Sequence, residues 1–168
     1  MPKANADDLE WTTLDRGGMR LDRKQLAAAA GGDRIGCSLY RLPAGERSWP
    51  YHYHAGNEEA LFVLSGAGAL RLDGERTALA EGDYVALPAG ERGAHRVIND
   101  GDDPLVYLAV STMDDPDVTV YPDSGKFGVF VGAPPGGGGD RSLHGYYRID
   151  DGVNYWLDED GSVSDGDT

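Results

Sequence analysis

The chain has 168 residues, of which 29 are acidic and 15 basic, for a formal charge of -14. That length admits one well-buried domain with a few added strands and excludes two ordinary domains. The acidity repels nucleic acid and argues against a DNA-binding role, and a single cysteine, Cys37, excludes an internal disulfide.

Arginine outnumbers lysine twelve to three and aspartate far exceeds glutamate, a balance similar to that of salt-loving archaea. At molar salt the Debye length shrinks to about 3 Å, so self-repulsion is screened and salt-dependent stability is expected. No apolar signal core stands in the first thirty residues and no apolar run has the length of a membrane span, so the expected location is the cytoplasm.

In chain order, residues 1–34 read as an N-terminal extension. Within it "DRKQLAAAA" offers a helical turn or two closed by Gly31 and Gly32, or alternatively an edge element. Residues 35–131 then carry short apolar runs: "RIGCSLYRL", "WPYHYH", "EALFVLSG", "GALRLDG", "RTALA", "DYVALP", "AHRVIND" and "PLVYLAVS". Turn signals such as "AGN", "EGD" and "DGDDP" separate them. Twenty-five glycines and nine prolines suit such an all-β domain better than a helical bundle. The stretch 132–140, "GAPPGGGGD", reads as a flexible loop. Residues 141–168 contain "HGYYRIDDGVNYWLDED", two aromatic runs across an Asp-Gly turn that predict a small hairpin, followed by an acidic tail.

Side chains alternate along a strand, so His52 and His54 share one face while Tyr51 and Tyr53 take the other. Glu59 lies five residues on, past the "AGN" turn, where the next strand can aim a carboxylate at the same spot. His95, opening "AHRVIND", is the third imidazole.

These residues resemble the cupin superfamily, whose motifs are G(X)5HXH(X)3,4E(X)6G and G(X)5PXG(X)2H(X)3N. Gly45, His52, His54, Glu59 and Gly66 follow the first motif, with six residues before the histidine instead of five. Gly82, Pro88, Gly90, His95 and Asn99 follow the second, with the insertion "ERGA" before His95. The resemblance implies a double-stranded β-helix, or jelly-roll, barrel. It also implies one divalent transition metal (Fe, Mn, Ni, Cu, Co or Zn) held by His52, His54, Glu59 and His95. Three neutral imidazoles and one carboxylate suit such ions and leave coordination positions open.

With Glu59 inward, Leu61 and Val63 face inward too, while Phe62 and Leu64 take the opposite face; Asn99 reads as a turn-bracing residue. Tyr40, Tyr84 and Tyr107 are candidate phenolic hydroxyls, and Arg47 with Trp49 stands where a barrel mouth would meet a carboxylate. His144 reads as a surface or packing residue, and the acidic "MDDPD" as a solvating loop. The resemblance implies a metal-dependent enzyme on a small molecule, of oxygenase, decarboxylase or isomerase type, with catalytic residues unassigned. The alternative is a non-enzymatic cupin that binds or senses a small ligand. A titratable residue beside the open coordination position favours the enzyme, and a wall of leucine and valine alone favours the binder. A homodimer through the early strand and the aromatic C-terminal hairpin is expected.

Overall fold

The structure is a computed structural model that describes residues 3–159. The chain folds as an all-β jelly roll, with two layers of antiparallel strands closed over one core.

The first layer begins with β1 (Thr12–Arg16) and β2 (Met19–Gln25), joined by Gly17 and Gly18 at φ 57° and 78°, a tight reversal that glycine makes without strain. Met19 and Leu21 point inward and are buried. A single turn, α1 (Leu26–Ala30), follows and stops at Gly31 in the left-handed conformation, so "DRKQLAAAA" divides: its first four residues belong to strand β2 and its last five are helical. The layer continues through β3 (Ile35–Leu42), β5 (Glu59–Ser65), β8 (Tyr84–Leu87) and β10 (Leu105–Thr112), in the order β1-β2-β3-β10-β5-β8. The N-terminal segment thus widens the sheet by two strands, because β2 pairs with β3 from Asp22↔Arg41 to Gln25↔Ser38.

The opposing layer has two parts. One runs β7-β6-β9, from β6 (Ala67–Leu72), β7 (Glu75–Ala80) and β9 (His95–Ile98). The other runs β13-β12-β11-β4, from β4 (Tyr53–His54), β11 (Asp117–Tyr121), β12 (Lys126–Val131) and β13 (Leu143–Arg148). A C-terminal hairpin does form, but one strand earlier than expected: β12 pairs with β13, and a 3-10 turn (Ile149–Asp151) replaces the second aromatic strand. The Gly/Pro-rich stretch 132–140 is therefore the hairpin's own loop. Beyond it Tyr155 and Trp156 are exposed.

The core lies between the layers. Leu21, Leu42, Val63, Leu70 and Leu105 are fully buried, each worth about 1.5–3 kcal/mol relative to exposure. Strand alternation along β5 holds as expected: Leu61 and Val63 are buried, whereas Phe62 and Leu64 sit on the outer face.

Candidate metal centre

His52 and His54 enter the barrel on a short segment of which only Tyr53–His54 is regular strand; His52 forms an isolated bridge to His95. That bridge has two backbone hydrogen bonds, His52 N donating to His95 O (3.2 Å) and His95 N donating to His52 O (2.8 Å). The two motifs therefore face each other at their histidines, with ring centroids 4.7 Å apart. The insertion "ERGA" does not carry His95 away. It coils into a 3-10 turn (Glu91–Gly93), anchored where Gly90 N donates to His54 O over 2.8 Å. Gly93 is required there, since a Cβ would fall 1.8 Å from the Pro88 carbonyl oxygen.

All three imidazoles are oriented through Nδ1. His52 Nδ1 faces Pro50 O at 2.8 Å and His95 Nδ1 faces Gly93 O at 2.9 Å, so each Nδ1–H donates to a carbonyl and each Nε2 keeps its lone pair for the interior. His54 Nδ1 donates to Asp117 Oδ2 at 2.6 Å, and Thr119 Oγ1 donates to the same carboxylate oxygen at 3.1 Å. Glu59 Oε2 lies 3.7 Å from His54 Nε2 and 3.4 Å from His95 Nε2. His52, His54 and Glu59 each present a ligand atom within 4.8 Å of the others, a group able to hold a metal ion. Neutral imidazole nitrogens and a carboxylate fit a divalent first-row metal.

Burial, together with the neighbouring histidines, holds His52 well below its ordinary pKa, so its ring is neutral near pH 7. Burial also lowers His95, against an upward pull from Glu59. In His54 burial is outweighed by the hydrogen bond that it donates to Asp117 and by the charges of Glu59 and Asp117, and its pKa rises. Asp117 is fully buried. Desolvation works against its charge, but the bond from His54 prevails and its pKa is lowered.

Above these side chains lies a cavity of about 350 Å³, lined among others by Arg23, Tyr40, Trp49, Tyr121, Arg141 and His144. A second, of about 470 Å³, adjoins it and shares Arg23, Tyr40, Glu59, Pro135 and Gly136. The loop 132–140 separates the two mouths, braced by Arg141, whose Nε and Nη2 donate to the carbonyls of Ala133 (2.8 Å) and Pro134 (3.0 Å).

Residues 38–111 match the family model described as Cupin domain. The cupin match covers β3 to β10 and includes both histidine motifs. Among curated proteins, the quercetin 2,3-dioxygenase of Bacillus subtilis is 42% identical over 50 residues, which is 30% of this chain but 15% of that protein. An uncharacterised protein of Aquifex aeolicus is 46% identical over 39 residues, 23% of this chain and 32% of its own. The chain thus spans a third or less of the curated relatives it matches. Solved structures align far more fully. One provisionally described as a sugar phosphate isomerase from Acidithiobacillus ferrooxidans has TM-score 0.76 at 28% identity, covering 88% of this chain and 90% of its own. A sugar phosphate isomerase of the cupin superfamily from Silicibacter pomeroyi has TM-score 0.76 at 26% identity, covering 89% and 94%.

Other expected residues divide. Asn99 is fully buried; its Nδ2 donates to Leu42 O (2.8 Å) and Asp103 O (2.9 Å), the bracing role read for it. Glu58 is exposed. Tyr40 and Tyr107 are buried and stacked, centroids 5.4 Å apart, while Tyr84 faces outward at 68% exposure and lines no part of the site. Arg47 is exposed and bridges Ile98 on the edge of β9, away from the cavity; Trp49 does line it. His144 packs against Phe130, centroids 5.1 Å apart, and also lines the cavity.

"MDDPD" is not a solvating loop: it delivers Asp117 to the interior, and Asp115 accepts from Gly132 N at 2.7 Å. Three residues of the site escaped the sequence reading: Asp117, buried behind His54, and the cavity-lining Arg23 and Tyr121, the ring of Tyr121 stacking on His52 with centroids 5.9 Å apart. A signal existed for all three. Met19, Leu21 and Arg23 share a strand face, as do Asp117, Thr119 and Tyr121.

Proposed function

We propose that this protein is a metal-dependent enzyme acting on a small molecule, an isomerase of sugar phosphates or close analogues, with the metal held by His52, His54, Glu59 and His95. The observation that carries the reading is the wall around the open side of the histidines. Among the described residues it presents Tyr121, His144 and two arginines in place of leucine and valine. That composition supports a catalytic cavity over a purely structural metal site. The isomerase direction draws on the two solved structures that align over nearly the whole chain.

A bound divalent cation supplies Lewis acidity toward a carbonyl or hydroxyl oxygen of the substrate. The chain's residues supply the rest. Asp117 and the carbonyls of Pro50 and Gly93 hold the imidazoles in the tautomer that leaves Nε2 unprotonated. Tyr121, its pKa pushed up mainly by burial and by Tyr146, keeps its phenolic proton at neutral pH and acts as a hydrogen-bond donor. His144 is the imidazole of the cavity outside the histidine trio, and is suited to carry a proton between neighbouring carbons.

The test is incubation of metal-loaded protein with aldose and ketose phosphates in deuterated water, followed by proton NMR. Interconversion with solvent deuterium at one carbon, lost in His52→Ala, is expected. No turnover across the panel by protein shown to hold metal would refute the isomerase reading.

A further inference from the structure

We infer that Arg23 is the anion-binding residue of the cavity, holding a phosphate or carboxylate group of the ligand while the rest of that ligand reaches the histidines. Arg23 lies on β2 opposite Tyr40, on the face that buries Met19 and Leu21, so its side chain runs into the barrel and not out to solvent. It lines both cavities, together with Glu59 and Tyr40, and so stands at the seam between the metal-side chamber and the outer one.

Its Nε is buried without a hydrogen-bond partner, and among the described residues the guanidinium has no ion pair. Such a buried donor is costly unless something accepts from it. Arg96 Nε alone among the described arginines shares this state, while others are held. Arg41, one strand away, is held by Asp22 at 2.7 Å, Arg71 by Asp123 at 2.7 Å, and Arg141 by two loop carbonyls. In a chain of formal charge -14, carboxylates abound, yet among the described residues none forms an ion pair with Arg23.

A guanidinium presents a planar fork of donors matched to two oxygens of a phosphate or carboxylate, which a lysine cannot reproduce. Arg141 adds positive charge on the opposite wall while bracing the loop at Pro134. The size of the two chambers suits a ligand with an anionic end in the seam and an oxygen-rich end at the histidines.

The subsite rests on the reading that this cavity receives a small anionic substrate, yet it is tested without turnover. Chelator-treated protein, free of metal, is titrated calorimetrically with inorganic phosphate and separately with malonate at low chloride. Binding of at least one anion is expected, weakened about tenfold or more by Arg23→Met, partly restored by Arg23→Lys, and unchanged by Arg47→Met on the outer surface. The anion bound more tightly identifies phosphate or carboxylate as the native group. Melting curves of each variant separate loss of the site from loss of the fold. Arg23→Met that remains folded and binds like the wild type overturns the inference, as does wild-type protein that binds neither anion. Failure of the isomerase assay with anion binding intact would sink the reaction and leave the subsite standing.

Discussion

Replacing Asp117 by asparagine isolates what a buried charge does for the metal centre. The carboxylate is fully buried and accepts from His54 Nδ1 at 2.6 Å, the short end for a charge-assisted bond. Asparagine keeps an oxygen for that donor and nearly the same volume, but removes the negative charge that makes His54 Nε2 a better electron-pair donor. Removing such a partner costs about 10–100-fold in metal affinity, equivalent to about 1.4–3 kcal/mol. The upper half of that range is expected, because the pair is buried and its charge poorly screened, with Thr119 Oγ1 at 3.1 Å a second donor to that oxygen. The amide nitrogen would occupy the position of Oδ1, which already lacks a partner, so folding is retained at a cost of about 1–3 kcal/mol. Competition against a chromophoric chelator for Zn or Mn measures the affinity. Asp123→Asn, at an exposed carboxylate paired with Arg71, serves as the control. If Asp117→Asn binds metal within about twofold of the wild type, the carboxylate does not tune the ligand and the reasoning fails.

Gly93→Ala should displace the 3-10 turn that presents His95, since the added carbon meets the Pro88 carbonyl at 1.8 Å; a lowered melting temperature and weaker metal binding are expected, and unchanged binding would show that the turn yields. In metal-free protein His52 and His95 titrate below 6.5, so the unfolded chain takes up their protons first. Stability from this pair is complete above pH 6.5 and declines as pH falls toward the folded values. His54, raised, contributes in the opposite sense, present below 6.5 and fading as pH rises, but it is one group against two. Thermal melts at about pH 7.5 and about pH 5.5 should show the lower stability in acid, with the difference reduced in His52→Gln. Melts in dilute and molar potassium chloride should differ as well, higher salt giving the higher midpoint; equal midpoints would remove the argument from the charge of -14.

The cluster of His52, His54 and Glu59 was legible because its information is local. His52 and His54 share a face by strand alternation, and the spacing to Glu59 and within the second motif needs only the chain itself. Burial of Leu61 and Val63, and the bracing role of Asn99, followed from the same periodicity. The C-terminal hairpin misled because an Asp-Gly pair marks a turn without saying which strand lies ready to pair; β12 offered β13 a six-residue partner, from Lys126↔Arg148 to Val131↔Leu143.

Sequence alone determined that this is an all-β chain in which His52, His54 and Glu59 are spaced to come together, since periodicity and turn chemistry act over a few residues. Tertiary structure alone decided that His52 and His95 bridge backbone to backbone, that Asp117 turns inward behind His54, and that Arg23 enters the cavity without an ion pair among the described residues. A charged residue on an alternating strand reads the same whether its face meets solvent or core, and only the register between segments far apart in the chain chooses between them.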